Sequence, residues 1–178
     1  MRSLVLAVGL AVFAAVSLAV IFHFKSDTRP AKFTLLGAAS AANIFVFARE
    51  LWLRPKDPFL LAIALGLFVV SAVLFAWAIQ ASRTAQLKLI FDPDNPRFIL
   101  RAGPYAFIRH PFYSSYILFW LGCAVGSLHV ANFGYIVLLT LLLVYAAREE
   151  EKGFERSALA ADYAAYRQSA GLLWPKLF

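Results

Sequence analysis

Residues 103–113 gather side chains that could do chemistry: Gly103, Pro104 and Tyr105, then Arg109, His110, Pro111, Phe112 and Tyr113. Gly-Pro is turn chemistry, because proline fixes φ and glycine relieves the backbone beside it. Pro111 suits the first turn of a helix, where its missing N–H costs nothing. A turn therefore delivers an Arg-His pair to the N-terminal end of the apolar run that follows. There the exposed N–H groups and the helix dipole favour an anion. Tyr105, Phe107, Phe112 and Tyr113 offer flat apolar surfaces around that point. A small ligand with a carboxylate at one end and an adenine ring at the other suits such a place. Basic and aromatic residues also collect at any membrane boundary, and local chemistry alone leaves that plainer reading open.

A second charged group, Arg148, Glu149, Glu150 and Glu151, follows a later apolar run. Three carboxylates at a helix C-terminus would oppose its dipole, so the helix is expected to continue past Ala147 and out of the membrane. Arg148 could clamp a carboxylate bidentately or simply snorkel to headgroups. Glu149 reads as part of a solvated face. Leu159, Tyr163, Tyr166 and Ala170 then share one face at helical spacing, as packing residues, with Gly171 as a C-cap. His23, His110 and His129 are scattered and lack cysteine partners, so no metal centre is expected. The single cysteine, Cys123, lies within an apolar run and is expected to pack there.

The elements that must hold these groups are membrane helices. The chain has 178 residues, 62% hydrophobic and only 15% charged, with apolar runs of span length recurring along it. The expected fold is all-α: a multi-pass transmembrane helical bundle of about five spans with a C-terminal cytoplasmic helix. The spans fall at 3–23, 33–53, 59–79, 111–128 and 133–147. The first starts basic like a signal peptide, but it is too long and lacks a convincing cleavage site, so it reads as a retained anchor. In the second, Gly37 and Ala41 share a face that allows close packing, within or between chains. Asn43 on the same helix is costly unless a neighbour hydrogen-bonds it, while Arg49 and Glu50 could pair locally. The long polar segment 80–110 reads as functional, because connections of that length in an economical chain usually are. Residues 126–134 make a short connection, so the fifth span returns antiparallel to the fourth.

The net charge of +7 does not point to nucleic acid, since Lys and Arg of membrane proteins collect in cytoplasmic loops beside anionic lipid. The bilayer is the expected partner; the oligomeric state is open. With the C-terminus inside, 13 of the 17 Lys and Arg residues fall on the cytoplasmic side, and only Arg2, Arg49, Arg54 and Lys56 lie outside. The expected location is a bacterial inner membrane, N-terminus out and C-terminus in. The long loop, the Arg-His turn and the Glu-rich tail then share the cytoplasmic face.

Gly103-Pro104-Tyr105, then Arg109-His110-Pro111-Phe112-Tyr113, a hydrophobic hairpin, the glutamates 149–151 and the Tyr163/Tyr166 tail resemble the isoprenylcysteine carboxyl methyltransferase family, which belongs with the phospholipid methyltransferases. The resemblance covers about residues 97–178. It implies an integral membrane methyltransferase that uses S-adenosyl-L-methionine without a dinucleotide-binding fold, with three N-terminal helices over 1–80 and a cofactor-binding catalytic half over 81–178. By motif, it places Tyr105, His110, Pro111 and Tyr113 against the cofactor. Arg97, Ile99 and Leu100 match a cofactor-lining stretch, although the family usually has His where Arg97 stands. Glu151 matches the cofactor-binding glutamate, with Glu150 as the alternative, and Arg148 the substrate-side arginine, in a register open by one residue. Arg109 would join His110 on the methionine carboxylate. The implied acceptor is lipophilic or prenylated, such as an isoprenylcysteine carboxylate.

Two alternatives stand beside this reading. Steroid-type NADPH reductases have a similar C-terminal half, but they tend to carry Asn before the motif tyrosine and Gly-Glu after it. This chain has Phe112 before, and Ser114-Ser115 after. The other alternative is a non-catalytic helical membrane protein with a degenerate site.

Overall fold

Proline and apolar length together set the helix boundaries. The computed structural model describes residues 1–23, 30–84 and 98–176. Six α-helices occupy them: α1 (Arg2–His23), α2 (Pro30–Leu53), α3 (Pro58–Thr84), α4 (Pro111–Ser127), α5 (Val130–Glu155) and α6 (Ala160–Ser169). Pro30, Pro58 and Pro111 each open a helix, where the N–H they lack would have been unpaired anyway. The chain is all-α as expected. Among the described residues the only β-type pairing is one isolated bridge between Ile108 and Gly171.

Among the described residues, three helices are long and apolar enough to cross a membrane by themselves: Arg2–Val20, Pro58–Arg83 and Val130–Glu155. The other two expected spans form helices as well. However, α4 has only 17 residues, about 25 Å at 1.5 Å per residue, and α2 carries Asn43, Arg49 and Glu50. α3 runs five residues past its expected end, to Thr84. Leaving lipid does not stop a helix; a breaker does, and none occurs before residue 84. α5 has 26 residues, about 39 Å, against a hydrocarbon layer of about 30 Å. Its charged last turns therefore extend beyond the apolar stretch, as the dipole argument required.

The chain divides into two compact units, one of Met1–Ala72 with Tyr116–Thr140, the other of Val73–Ser115 with Leu141–Phe178. α3, α4 and α5 each contribute residues to both. The first unit is cored by aromatics. Phe68 meets Phe47 edge-on, with ring centroids 5.6 Å apart, and lies 5.2 Å from Phe119. These rings pack against glycines of α4: a Cβ on Gly122 would sit 2.7 Å from the Phe68 ring, and one on Gly126 2.9 Å from the Phe47 ring. Two small residues four apart thus admit bulky neighbours. Gly37 of α2, where close packing was also possible, has nothing within 4 Å of a built Cβ, and Ala41 is exposed. Cys123 is buried as a packing residue. The turn from α4 to α5 needs only Leu128 and His129, with Leu128 in the left-handed region at φ 49. His129 Nδ1 caps α5 by accepting the Ala131 N–H at 3.2 Å. The Asn43 amide, fully buried, finds no hydrogen-bond partner among the described residues.

In the second unit the Gly-Pro turn becomes a short 3-10 segment, Gly103–Ala106. Gly103 has φ +59, and a Cβ there would lie 2.9 Å from the Ala81 Cβ. Backbone conformation and close approach both demand glycine. Tyr163, Tyr166 and Ala170 form a buried cluster against Ile99 and Phe154, and Phe154 stacks on Tyr163 at 4.5 Å. The Tyr166 hydroxyl donates to the Tyr105 carbonyl at 2.5 Å, tying α6 to the turn.

Candidate active site

The first turn of α4 and the last turns of α5 bring the charged residues of the second unit together. His110 immediately precedes α4, and Tyr113 lies three residues on, so their rings share a face; the rings stack at 5.3 Å, 10° from parallel. Facing them from α5 are Glu150 and Glu151. Arg109 Nε donates to Glu151 Oε1 at 2.7 Å, and Arg109 Nη2 reaches Glu151 Oε2 at 3.4 Å. This is a two-point fork, stronger than a single contact. His110 Nε2 lies 3.3 Å from Glu151 Oε1, and His110 Nδ1 lies 3.5 Å from Glu150 Oε2. The Tyr113 hydroxyl donates to Glu150 Oε1 at 2.5 Å.

Burial separates the two carboxylates. The Glu151 side chain is 6% exposed and Arg109 8%, whereas Glu150 is 36% exposed. Removing one member of a buried pair strands the other charge, at about 3–5 kcal/mol. Glu151 is therefore a hub: besides Arg109 and His110 it draws Arg167 Nε to 3.8 Å, and Arg167 also pairs with Glu155. Burial works against a charge on His110, but Glu150 and then Glu151 outweigh it and hold its pKa above the ordinary 6.5. The geometry explains the sign. Each ring nitrogen faces a carboxylate, and a neutral tautomer would turn one lone pair toward an anion. Burial, and then the Glu151 charge, raise the Tyr163 phenol well above its ordinary value. Burial lifts Tyr166 to about 12. Both stay neutral, as packing groups should.

A backbone strap fixes the turn. The Arg109 N–H donates to the Gly171 carbonyl at 2.8 Å, the His110 N–H to Leu172 at 3.1 Å, and the Gly171 N–H to Phe107 at 3.0 Å. Arg109 Nη1 also donates to the Ala170 carbonyl, and the Ser114 hydroxyl to that of Leu173. Gly171 does not serve as a left-handed cap, because α6 ends at Ser169 with Ala170 extended. Its glycine is needed for close approach: a Cβ would fall 1.8 Å from the Trp174 carbonyl oxygen.

Of the residues singled out in the sequence, Arg109, His110, Tyr113, Glu150 and Glu151 converge here. Pro111 is fully buried and opens α4. Tyr105 is buried and holds Tyr166 through its carbonyl. Ile99 packs on the tyrosine cluster, and Leu100 beside it is half-buried. Arg97 lies outside the described residues. Arg148 is exposed, with no ion-pair partner among the described residues. Glu149 pairs with Lys152 at 2.6 Å on the solvated side of the helix. Arg167, Ser114 and the 170–173 strap were not foreseen. Arg167 carries a helical signal, four residues after Tyr163, but a backbone strap has no residue-type signature. The N-terminal end of α4 also meets its anion differently from the expectation: the chain itself supplies Glu150 and Glu151, so Arg109 is already neutralised.

The arrangement can do three things. Glu150 can accept hydrogen bonds from an amine or hydroxyl, the stacked His110 and Tyr113 rings can flank a flat or cationic group, and exposed Arg148 can meet an anionic acceptor. Among the described residues no group of His, Cys, Asp and Glu could hold a metal ion.

A family model described as phospholipid methyltransferase matches residues 59–163, more than half of the chain. The match includes Arg109, His110, Tyr113, Glu150 and Glu151 and stops short of the strap. No curated protein and no solved structure matches the chain.

Proposed function

The chain belongs to the phospholipid methyltransferase family and is a membrane methyltransferase; from that premise we propose that it moves a methyl group from S-adenosyl-L-methionine to a lipophilic acceptor reached from the bilayer. The acceptor proposed is an isoprenylcysteine-like carboxylate. The observation that carries this reading is the convergence of His110, just before α4, and Tyr113 in its first turn with Glu150 and Glu151 from α5 within hydrogen-bonding reach.

The residues fit the cofactor's chemistry. Glu150, the more open carboxylate, would take its amino group or a ribose hydroxyl; His110 and Tyr113 would flank it, with Tyr105 and Pro111 shaping the turn beneath. When bound, S-adenosyl-L-methionine supplies a methyl on a positively charged sulfur. A carboxylate acceptor is already an anion, so no side chain need remove its proton, and catalysis is mainly alignment and exclusion of water. Arg148 would hold the acceptor carboxylate. Arg109 acts at one remove, keeping Glu151 and the turn in place. The charge bias of the loops supports a cytoplasmic placement of these residues. Phe112 before Tyr113 and Ser114-Ser115 after it, where steroid-type reductases tend to carry Asn and Gly-Glu, favour methyl transfer over nicotinamide chemistry.

The test is transfer of a radiolabelled methyl from S-adenosyl-L-methionine to farnesylcysteine and to phosphatidylethanolamine. Label should enter the prenylcysteine, His110→Ala should abolish it, and S-adenosylhomocysteine should bind the wild type in calorimetry. Undiminished activity in His110→Ala would remove the site assignment.

A further inference from the structure

The first unit holds a second charged site, which shares no residue with the first. Glu50, near the end of α2, has a side chain only 2% exposed, yet cations surround it. Arg49 Nη1 lies 2.9 Å from Glu50 Oε1, Arg54 Nε 3.5 Å from Oε2, Lys56 Nζ 3.7 Å from Oε2, and His129 Nε2 3.9 Å from Oε1. Arg2 reaches across to the Leu51 and Arg54 carbonyls at 3.5 and 3.4 Å. Lys56 also donates to the Ser127 carbonyl.

The charges do not balance. Arg49, Arg54 and Lys56 face one buried carboxylate, Arg2 donates instead to backbone carbonyls beside it, and Asp57 accepts the Phe59 N–H at 2.7 Å to cap α3. The shortest of these ion pairs is Arg49 to Glu50, at 2.9 Å. Arg49 and Arg54 are 54% and 70% exposed, so their guanidinium groups offer further donors outward. A buried acid at the centre of exposed arginines organises a cationic cup rather than neutralising it. Apolar residues close in the chain to these charged groups, Leu4, Trp52, Leu53, Phe59, Leu128 and Val130, are all exposed. Guanidinium forks suit tetrahedral oxyanions, excess positive charge selects a net anionic group, and exposed apolar residues suit acyl chains rather than a free ion.

We propose that the Glu50-centred cluster of Arg49, Arg54 and Lys56 binds the phosphate of an anionic phospholipid headgroup. Each exposed arginine near a membrane surface contributes about fivefold to such binding, so the Arg49→Gln/Arg54→Gln variant should bind about twenty-five-fold more weakly. The experiment is native mass spectrometry of the full chain released from detergent after incubation with phosphatidylglycerol, phosphatidylcholine or inorganic phosphate. The wild type should retain phosphatidylglycerol over phosphatidylcholine, the double glutamine variant should lose that retention, and Arg49→Lys/Arg54→Lys should recover part of it. An unchanged thermal midpoint of the variant in lipid-free detergent separates loss of binding from loss of fold. Equal retention of the two lipids, retention undiminished in the variant, or displacement of the lipid by inorganic phosphate would each overturn the proposal.

Discussion

His110 stands between two carboxylates with a ring nitrogen toward each, and this fixes how pH acts on the protein. Its folded pKa is raised above the ordinary 6.5, so the stability it contributes is fully present below that value. It is lost as pH rises through the folded pKa. The thermal midpoint in detergent should therefore fall as pH is raised from below 6.5 through that window, and Glu150→Gln should shrink the fall. The two glutamates should separate in their effects. Glu151→Gln removes the buried partner of Arg109 and should cost about 3 kcal/mol in denaturation. Glu150→Gln should cost little stability but weaken S-adenosylhomocysteine binding about tenfold, as loss of one charge-assisted hydrogen bond does. Equal effects of the two would erase the distinction between hub and open carboxylate.

At the scale of elements, the strap is the piece on which the turn depends. Gly171→Ala would drive a Cβ into the Trp174 carbonyl, breaking the pairing that holds Arg109 and His110. A loss of about 3 kcal/mol, typical where a buried backbone contact must be displaced, should appear together with faster proteolysis after α6. Gly37→Ala on the open face of α2 should leave the midpoint unchanged, since nothing stands within 4 Å. Both substitutions add one methyl group to a glycine. Only the surroundings differ.

For the whole molecule, the charge bias predicts that the end of α2 faces outward and the end of α5 inward. On a Cys123→Ala background, a membrane-impermeant maleimide applied to intact cells should label Leu53→Cys and not Arg156→Cys. The reverse pattern would place the methyltransferase residues on the outer face, away from a soluble cytoplasmic cofactor. The family match, starting at residue 59 and ending at 163, begins earlier than the C-terminal resemblance and leaves out α1, α2 and the strap.

Apolar run length and proline positions were enough to determine five long helices, because in lipid every backbone group must bond within its own segment and only helices manage that; the helical tail was legible in the spacing of Leu159, Tyr163, Tyr166 and Ala170. Residue types and the turn nominated Arg109 and His110 as an anion-facing pair; Tyr113, Glu150 and Glu151 were nominated by the family resemblance, motif by motif. Tertiary structure alone decided which glutamate is buried and which is open, because that depends on whose side chains lie opposite the end of α5. It also decided that Gly122 and Gly126 pack while Gly37 does not, that Gly171 yields to a backbone rather than capping a helix, and that Arg54, Lys56 and His129 join the Arg49–Glu50 pair that the sequence had suggested. Each of these depends on which side chains and backbone segments come to lie against one another in space, and a one-dimensional pattern carries no record of which surfaces meet.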